Sequence, residues 1–285
     1  MAGQASPFVF SGLSPIAPDP ARSLGVGRSA EVFADAPGRV LKLYVAGSDP
    51  EAIAAEFRAS RLAHAQGLPS VRAHAVVARG ERTGILFDRV EGRTLLRHCG
   101  VNPLRVMPGF RALALMHRRI HARSGAGLPD QHAILRESIV RARISEGARA
   151  AALARLERLP RGEALCHGDL HPENVLVTRD GWRVVDWQKA VAGHPAADVA
   201  RTAMLIRFGR VVDGPGRAAA MARLRDLVAF WYTLCYRQGP GPRIGFAEIR
   251  AWTLPVAAAR LAGRVAENEA VLRAEVERLA AEERG

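Results

Sequence analysis

The chain has 285 residues, of which 48% are hydrophobic, enough apolar side chain for one large domain or two lobes with real cores. Its formal charge of +13 invites a nucleic-acid interpretation, but the basic residues are spread over nearly every predicted helix, without interleaved aromatic residues. The three cysteines lie far apart, in neither disulfide-framework nor zinc-ligand spacing. We therefore expect a globular protein that binds no nucleic acid.

The N-terminal residues favour neither a membrane anchor nor a secretion signal. Every stretch of about 18 residues contains a charged residue or a proline, so no membrane span is predicted. Four prolines among the first twenty residues predict an irregular arm over residues 1–23 instead of a signal peptide. We therefore expect a cytoplasmic protein without a membrane partner.

Residues 24–92 combine short apolar segments with a single predicted helix. Asp49 followed by Pro50 is typical of the start of a helix, which we expect to end near Gly67. The strands are predicted over residues 29–34, 39–45, 73–78 and 84–87. This pattern predicts a small β-rich domain whose last residues form a linker.

After residue 92 the pattern becomes helical. Ala/Leu/Arg segments with helical periodicity cover residues 105–122 and 131–159, and helices are expected again from residue 198 onward. Short β-branched runs predict a hairpin within residues 165–190. The expected fold class is α+β, with domains over residues 24–92 and 93–285.

Oxygen-bearing side chains recur in and after the segment that contains this hairpin. Asp169 lies five residues before Asn174, and Asp186 lies twelve residues after it. A hairpin of that length would return Asp186 to the loop that holds the other two. Asn and Asp oxygens suit Mg²⁺, and a carboxylate beside a hydroxyl can accept its proton. The spacing therefore predicts a phosphoryl-transfer centre with Asn174 and Asp186 as metal ligands and Asp169 as base.

The letters around Asp169 match a known pattern. Residues 167–174 read His-Gly-Asp-Leu-His-Pro-Glu-Asn, which resembles the His-Gly-Asp-x-His-x-x-Asn catalytic loop of the aminoglycoside phosphotransferase and choline kinase-like families, relatives of protein kinases. The resemblance implies a bilobal protein-kinase-like fold, ATP and Mg²⁺ as cofactors, and a small-molecule hydroxyl substrate. It also implies that Asp169 is the catalytic base, that Asn174 and Asp186 bind Mg²⁺, and that His167 supports the loop.

A second segment resembles the same families. Residues 193–201 resemble the Gly-x-Pro-x-x-Asp segment, in which the aspartate, here Asp198, caps a helix and braces the catalytic loop. His117 and His121 lie one turn apart on a predicted helix, where a packed or solvated helix face is the favoured interpretation. We assign neither histidine to a site.

The nucleotide side of the site is predicted from four features. Gly25, Gly27 and Ser29 fit a phosphate-cradling loop; a dinucleotide fingerprint is disfavoured because a hairpin, not a helix, is expected next. Lys42 lies in an otherwise apolar strand and resembles the kinase lysine that contacts the α- and β-phosphates, with Glu56 as its expected partner. In the linker, the Asp88 carbonyl and the Val90 amide are expected to face adenine.

The acceptor is less well defined. Residues 105–159 hold eleven arginines and four acidic residues, so we expect an acceptor less cationic than a typical aminoglycoside. The leading hypothesis is a monomeric or weakly dimeric small-molecule kinase, with a role in antibiotic resistance as one option. A metabolic sugar or choline-type kinase, a protein kinase and a catalytically silent nucleotide-binding scaffold stay open.

Overall fold

A computed structural model describes residues 23–27, 29–209, 218–239, 243–263 and 269–284. All but the last residue of the predicted arm over residues 1–23 lies outside them. The chain divides into two compact units, one formed by the residues up to Gly92 together with Thr178–Gln188, the other by Arg93–Val177 and the residues from Lys189 onward. Residues 178–188 of the predicted hairpin thus group with the first unit, and the domain boundaries stay a prediction.

The first unit is built on an antiparallel sheet of five strands in the order β1-β2-β3-β5-β4. The strands are β1 (Ser23–Val26), β2 (Ala30–Ala34), β3 (Arg39–Tyr44), β4 (Ala73–Arg79) and β5 (Arg82–Asp88). Between β2 and β3, Gly38 has a φ of 73°, which glycine adopts at little cost. The four predicted strands are present, together with β1.

Helix α1 (Pro50–Ala65) packs on one face of this sheet. The Asp49 side chain caps it by accepting a hydrogen bond from the Glu51 amide, as the sequence predicts. Ile53 of α1 shares a core with Tyr44 of β3 and Ile85 of β5. Because side chains alternate along a strand, Lys42 lies on the same face of β3 as Tyr44 and therefore points toward α1.

Strand β9 (Gly181–Val184) also belongs to the first unit. Its last residue, Val184, donates its amide hydrogen to the carbonyl of Pro69 at 2.8 Å and accepts from the amide of Val71 at 3.3 Å. These two bonds attach β9 to the segment that follows α1. They fix the position at which the chain reaches Asp186, two residues further on.

The second unit is mainly helical. Its helices are α2 (Leu95–Cys99), α3 (Pro103–His121), α4 (Gln131–Arg141), α5 (Glu146–Arg158), α6 (Pro195–Phe208), α7 (Ala218–Gln238), α8 (Phe246–Ala251), α9 (Thr253–Arg260) and α10 (Glu269–Arg284). Strand β6 (Arg93–Thr94) pairs with β8 (Val175–Thr178), and β7 (Ala164–Cys166) pairs with β10 (Val191–Gly193). The α+β class is confirmed. Within the described parts of the chain, each helix is too short or too polar to cross a membrane.

One predicted helix is wrong. The continuous helix expected over residues 131–159 is divided into α4 and α5, because the Ser145 side chain accepts from the Ala148 amide and so starts a new helix. Apolar periodicity continues through the break, since both helices are rich in Ala, Leu and Arg. A local cap outweighs such a pattern.

Candidate active site

In the first unit, a lysine joins two carboxylates. Lys42 Nζ donates to Glu56 Oε1 at 2.7 Å and to Asp186 Oδ1 at 2.8 Å. The Tyr44 hydroxyl donates to the other oxygen of Glu56, whose side chain is only 1% exposed. Burial lowers the pKa of Lys42, but the two carboxylates outweigh burial and hold that pKa above its ordinary value. Lys42 therefore stays charged.

Asp186 is held in a strained backbone conformation. Its φ of 65° makes it the one non-glycine residue with a positive φ among the residues described. A left-handed conformation costs a non-glycine residue about 1–2 kcal/mol, and such strain often accompanies function. Trp187, which follows and is 2% exposed, anchors the segment in the core. The carboxylate of Asp186 is thus directed by backbone geometry as well as by its bond to Lys42.

The residues of the predicted phosphate loop lie at the end of β1 and before β2: Gly25 belongs to β1 and pairs with Val32, and Gly27 and Ser29 lie between the two strands. The Gly27 amide donates to the Ala30 carbonyl at 2.8 Å, and the Ser29 carbonyl accepts from the Val45 amide at 3.0 Å. A Cβ on Gly27 would lie 3.1 Å from the Ala30 oxygen, whereas Gly25 faces open space. Because β1 pairs with β2 and no helix follows it, the dinucleotide-binding alternative is excluded.

Asp88 ends β5 at the predicted adenine linker. Its amide donates to the Arg72 carbonyl at 3.0 Å, and its carboxylate lies 2.6 Å from Nε2 of His74. The next amide, of Arg89, donates to Gly38 at 2.8 Å. These bonds hold the start of the segment that contains Val90. Contact of Asp88 and Val90 with adenine stays a prediction.

In the second unit, two cations hold the Asp169 carboxylate. Lys189 Nζ donates to its Oδ2 at 2.9 Å, and Arg201 donates to its Oδ1 at 3.1 Å. Burial raises the pKa of Asp169, but Arg201, Lys189 and His171 outweigh burial and hold that pKa well below its usual range. Asp169 is therefore ionised at every physiological pH.

The loop from His167 to Asn174 is closed by its own side chains. Nδ2 of Asn174 donates to the Asp169 carbonyl at 3.0 Å, and Nδ1 of His167 accepts from the Asp169 amide at 3.2 Å. At the far side of the loop, Nδ1 of His171 accepts from the Glu173 amide at 3.4 Å. These contacts agree with a supporting role for His167.

Asp198 binds the backbone of this loop from α6. Its carboxylate accepts from the amides of His167 at 2.7 Å and Gly168 at 3.0 Å. The residue that caps α6 is His194, whose side chain accepts from the Ala196 amide, so the predicted capping role of Asp198 is wrong. Helix α6 begins at Pro195, and Asp198 lies inside its first turns. Its side chain is thereby available for the loop.

Two histidines that the sequence left unassigned complete this network. Nε2 of His117 lies 3.0 Å and Nε2 of His121 lies 3.3 Å from Asp198 Oδ2, and their Nδ1 atoms lie 2.5 Å and 2.7 Å from the hydroxyls of Tyr232 and Tyr236. The side-chain nitrogen and oxygen atoms of His117, His121 and Asp198 lie within 4.8 Å of one another, a spacing that would also suit a metal ion. Both nitrogens of each ring already have partners, so the network is complete without one.

Gly168 brings the loop against the residues that follow Asp186. Its φ is 75°, and a Cβ at this position would lie 2.0 Å from the Lys189 carbonyl oxygen. Only glycine allows this approach. The backbone of Lys189 and the backbone of the loop therefore lie in direct contact, which is why the Lys189 side chain reaches Asp169.

The structure gathers the predicted residues in two groups. Lys42, Glu56 and Asp186 meet in the first unit; Asp169 and Asn174 share one loop in the second. Sequence reasoning missed Tyr44, Lys189 and Arg201. The sequence held one signal for Lys189: it is one of only two lysines in the chain.

The model of the phosphotransferase enzyme family, APH, matches residues 21–263. The chain belongs to this family. The resemblance to the aminoglycoside phosphotransferase family and the predicted class of enzyme, a phosphotransferase, are confirmed. No curated protein sequence is detectably similar to the chain.

Solved structures similar to this phosphotransferase confirm the kinase-like fold. A thermostable mutant of aminoglycoside phosphotransferase APH(4)-Ia, in ternary complex with ADP and hygromycin B, has a TM-score of 0.63 at 17% identity, over 92% of this chain and 94% of that one. Amicoumacin kinase hAmiN, in complex with AMP-PNP, Ca²⁺ and Ami, has a TM-score of 0.62 at 14% identity, over 94% and 89%. Aminoglycoside phosphotransferase APH(3'')-Id from Streptomyces rimosus, with ADP and streptomycin, has a TM-score of 0.55 at 19% identity, over 87% and 94%.

Proposed function

We propose that this phosphotransferase transfers the γ-phosphoryl group of ATP to a hydroxyl of a small molecule, with Mg²⁺ as the metal ion. The observation that carries the proposal is the Asp169 carboxylate, ionised and held by two cations in the loop that Asp198 binds. A fixed carboxylate of this kind orients an alcohol, which is the main task of a protein in phosphoryl transfer.

In the proposed reaction, the acceptor hydroxyl donates a hydrogen bond to Asp169. The hydroxyl oxygen bonds to the γ-phosphorus, the bond from that phosphorus to the bridging oxygen breaks, and the hydroxyl proton passes to the carboxylate as ADP leaves. Because the pKa of Asp169 is well below its usual range, the carboxylate is a weak base. Its main contribution is therefore orientation, with proton transfer late in the step.

Nucleotide binding is assigned to the first unit. We assign Lys42, kept charged by Glu56 and Asp186, to the α- and β-phosphates. We assign Gly25, Gly27 and Ser29 to the segment that covers the phosphates. The backbone near Asp88 and Val90 is assigned to adenine. The structural relatives carry ADP or AMP-PNP in their complexes, which supports ATP as the donor.

Asn174 and Asp186 are the proposed metal ligands, and their chemistry fits Mg²⁺. The amide nitrogen of Asn174 is bonded to the Asp169 carbonyl, so its oxygen is the atom that a cation would take. Asp186 offers a carboxylate, the hard oxygen ligand that Mg²⁺ prefers. Bound there, the ion would neutralise charge on the phosphate oxygens.

The acceptor is proposed to be neutral or anionic. Lys189 and Arg201 contact Asp169 directly, and His171 adds positive charge when protonated. The positive charge of Arg260 also lies close enough to lower the pKa of Lys189.

A choline-type acceptor needs an exposed aromatic cage. Four aromatic residues were candidates for one. Tyr232, Tyr236 and Trp252 are at most 2% exposed, and both tyrosines bind histidines. Trp231 is half-buried, and its indole N–H donates to the Met107 carbonyl at 2.8 Å. A sugar-like or other hydroxyl compound fits the charge better than a polycationic aminoglycoside.

Two substitutions test the roles. Asp169→Asn should lower turnover by about 10²-fold or more while Mg-AMP-PNP still binds, because an amide cannot take the hydroxyl proton and loses the ion pairs with Lys189 and Arg201 that fix the side chain. Asp186→Asn should abolish metal-dependent binding of the nucleotide. Turnover would be followed by ADP release with Mg-ATP and a library of sugars, nucleosides, macrolides and kanamycin-type compounds. Full turnover by Asp169→Asn would refute its role, silence of the wild type with every acceptor would favour a scaffold, and efficient turnover of kanamycin would refute the charge argument.

A further inference from the structure

Lysine is rare in this chain, and both lysines touch carboxylates of the proposed reaction. Of the 41 lysine and arginine residues, only Lys42 and Lys189 are lysines. Lys42 is bonded to Asp186, and Lys189 is bonded to Asp169. Arginine serves everywhere else, on solvated helix faces and in exposed ion pairs alike. Of these two lysines, only Lys42 has a proposed role so far, in binding the phosphates. Lys189 has none.

Lys189 and Arg201 hold Asp169 in different ways. Arg201 comes from α6 and its side chain is 16% exposed, whereas the side chain of Lys189 is 47% exposed. Each cation takes one carboxylate oxygen. Arg201 is thus the less exposed of the two cations, and Lys189 is the one with more of its side chain in solvent.

The position of Lys189 is fixed by the backbone. It ends the short 3-10 turn Trp187–Lys189, and its carbonyl oxygen lies against Gly168, where a Cβ would be 2.0 Å away. The lysine therefore moves with the loop that carries Asp169. A contact built from two backbones in this way is not an incidental surface ion pair, which would hold two long, mobile side chains.

Chemistry distinguishes lysine from arginine at this position. An ammonium is a compact point charge that can bond one carboxylate oxygen through a single N–H. A guanidinium presents a planar fork that tends to engage both oxygens of a carboxylate. With Arg201 already on Oδ1, a second guanidinium would compete for the lone pairs that an acceptor hydroxyl needs.

We propose that Lys189 is a positioning residue that orients the Asp169 carboxylate toward the acceptor hydroxyl, and that lysine, not merely positive charge, is required there. The inference rests on the proposed function of Asp169. It adds a second functional lysine, in the second unit, to the phosphate-binding lysine assigned to the first.

The first test compares Lys189→Gln and Lys189→Arg with the wild type in ADP release from Mg-ATP, both with water as acceptor and with each active hydroxyl compound. We expect kcat to fall about tenfold or more in both variants, and KM for Mg-ATP to change less than about threefold. Arg141→Gln, which removes an exposed arginine paired with Glu137 in the same unit, should keep wild-type kcat. Wild-type kcat in Lys189→Arg would overturn the requirement for lysine.

A double-mutant cycle separates this inference from the proposed function. If Lys189 acts through Asp169, adding Lys189→Gln to Asp169→Asn should slow ADP release by less than about twofold, because coupled residues are not additive. Multiplied effects would refute the inference while leaving Asp169 in its role. An unimpaired Asp169→Asn single variant would instead refute the proposed function, and this inference with it.

The contact itself is measured without turnover. Labelling the lysine ε-carbons with ¹³C gives two lysine signals in the spectrum of this chain, assigned with Lys42→Arg and Lys189→Arg. Asp169→Asn should shift the Lys189 signal and leave the Lys42 signal in place, and Arg141→Gln should move neither. If the chemical shift of the Lys189 signal were the same in Asp169→Asn as in the wild type, the proposal would be overturned.

Discussion

His121 is buried against the Asp198 carboxylate and the ring of His117. Burial lowers the pKa of His121 to about 4. In an unfolded chain the same imidazole titrates near pH 6.5. Below that pH the unfolded state binds a proton that the folded state does not, so stability is full above pH 6.5 and falls as the pH drops toward 4.

We expect this single residue to cost the protein about 2 kcal/mol of unfolding free energy between pH 7 and pH 5. Denaturant unfolding at the two pH values measures it, with His121→Asn compared with His98→Asn, which removes an exposed histidine. His132 and His194 have lowered pKa values too, so the difference between the wild type and His121→Asn isolates the effect. An undiminished pH dependence in His121→Asn would contradict this account.

Distance along the chain decided which residue contacts could be predicted. Lys42 and Glu56 are 14 residues apart, on a strand and the helix that follows it, so local patterns were enough to bring them together. His117 and Asp198 are 81 residues apart, and no pattern within either helix reveals the other. The contacts of His117 and His121 with Asp198, which supports the loop from α6, could therefore be found only in the structure.

At the scale of elements, the loop that carries Asp169 depends on one glycine. We expect Gly168→Ala to cost more than about 3 kcal/mol and to abolish turnover, because a Cβ would meet the Lys189 carbonyl at 2.0 Å in addition to the strain of its positive φ. Gly127→Ala is the matched control: Gly127 has a φ of 86° with nothing near its Cβ position. Strain alone should cost it about 1 kcal/mol. Thermal and denaturant unfolding of both variants, with ADP release, measure the difference, and equal losses would show that the contact with Lys189 is unimportant.

Caps explain which elements the sequence could delimit. Asp49 followed by Pro50 is a strong start signal, and α1 begins there. Ser145 is an equally effective cap, but it lies within a continuous run of helix-forming residues, where periodicity masked it. His194 caps α6, four residues before the predicted start at Asp198, because histidine is an uncommon cap and Asp198 was the more conventional choice.

At the scale of the whole molecule, the charge of +13 should act on diffusing anions. We expect kcat/KM for Mg-ATP to fall about two- to fivefold between 0.05 and 0.3 M KCl, since salt shortens the range of this attraction. The same constant for a neutral sugar acceptor should hardly change and serves as the control. Steady-state ADP release measures both, and a salt-independent constant for Mg-ATP would show that the charge does not steer the nucleotide.

The reaction class could be predicted from the sequence because its residues form one compact motif between His167 and Asp186. The acceptor could not. Specificity in a fold depends on surfaces assembled from distant parts of the chain, and such surfaces carry no fixed letters. The proposal of a neutral or anionic acceptor depends on Lys189 and Arg201, whose contacts with Asp169 were seen only in the structure.

Tyr44 binds Glu56 from the strand that also carries Lys42. In protein kinases, the helix that bears this glutamate is a point of control, because activity requires its ion pair with the strand lysine. Here, moving α1 outward would strip Glu56 of Lys42 and would also leave the hydroxyl of Tyr44, a residue 1% exposed, without its acceptor. Glu56 therefore fastens α1 to β3 through two side chains. We expect a constitutively active enzyme, whose rate depends on the concentration of acceptor and not on an activating partner.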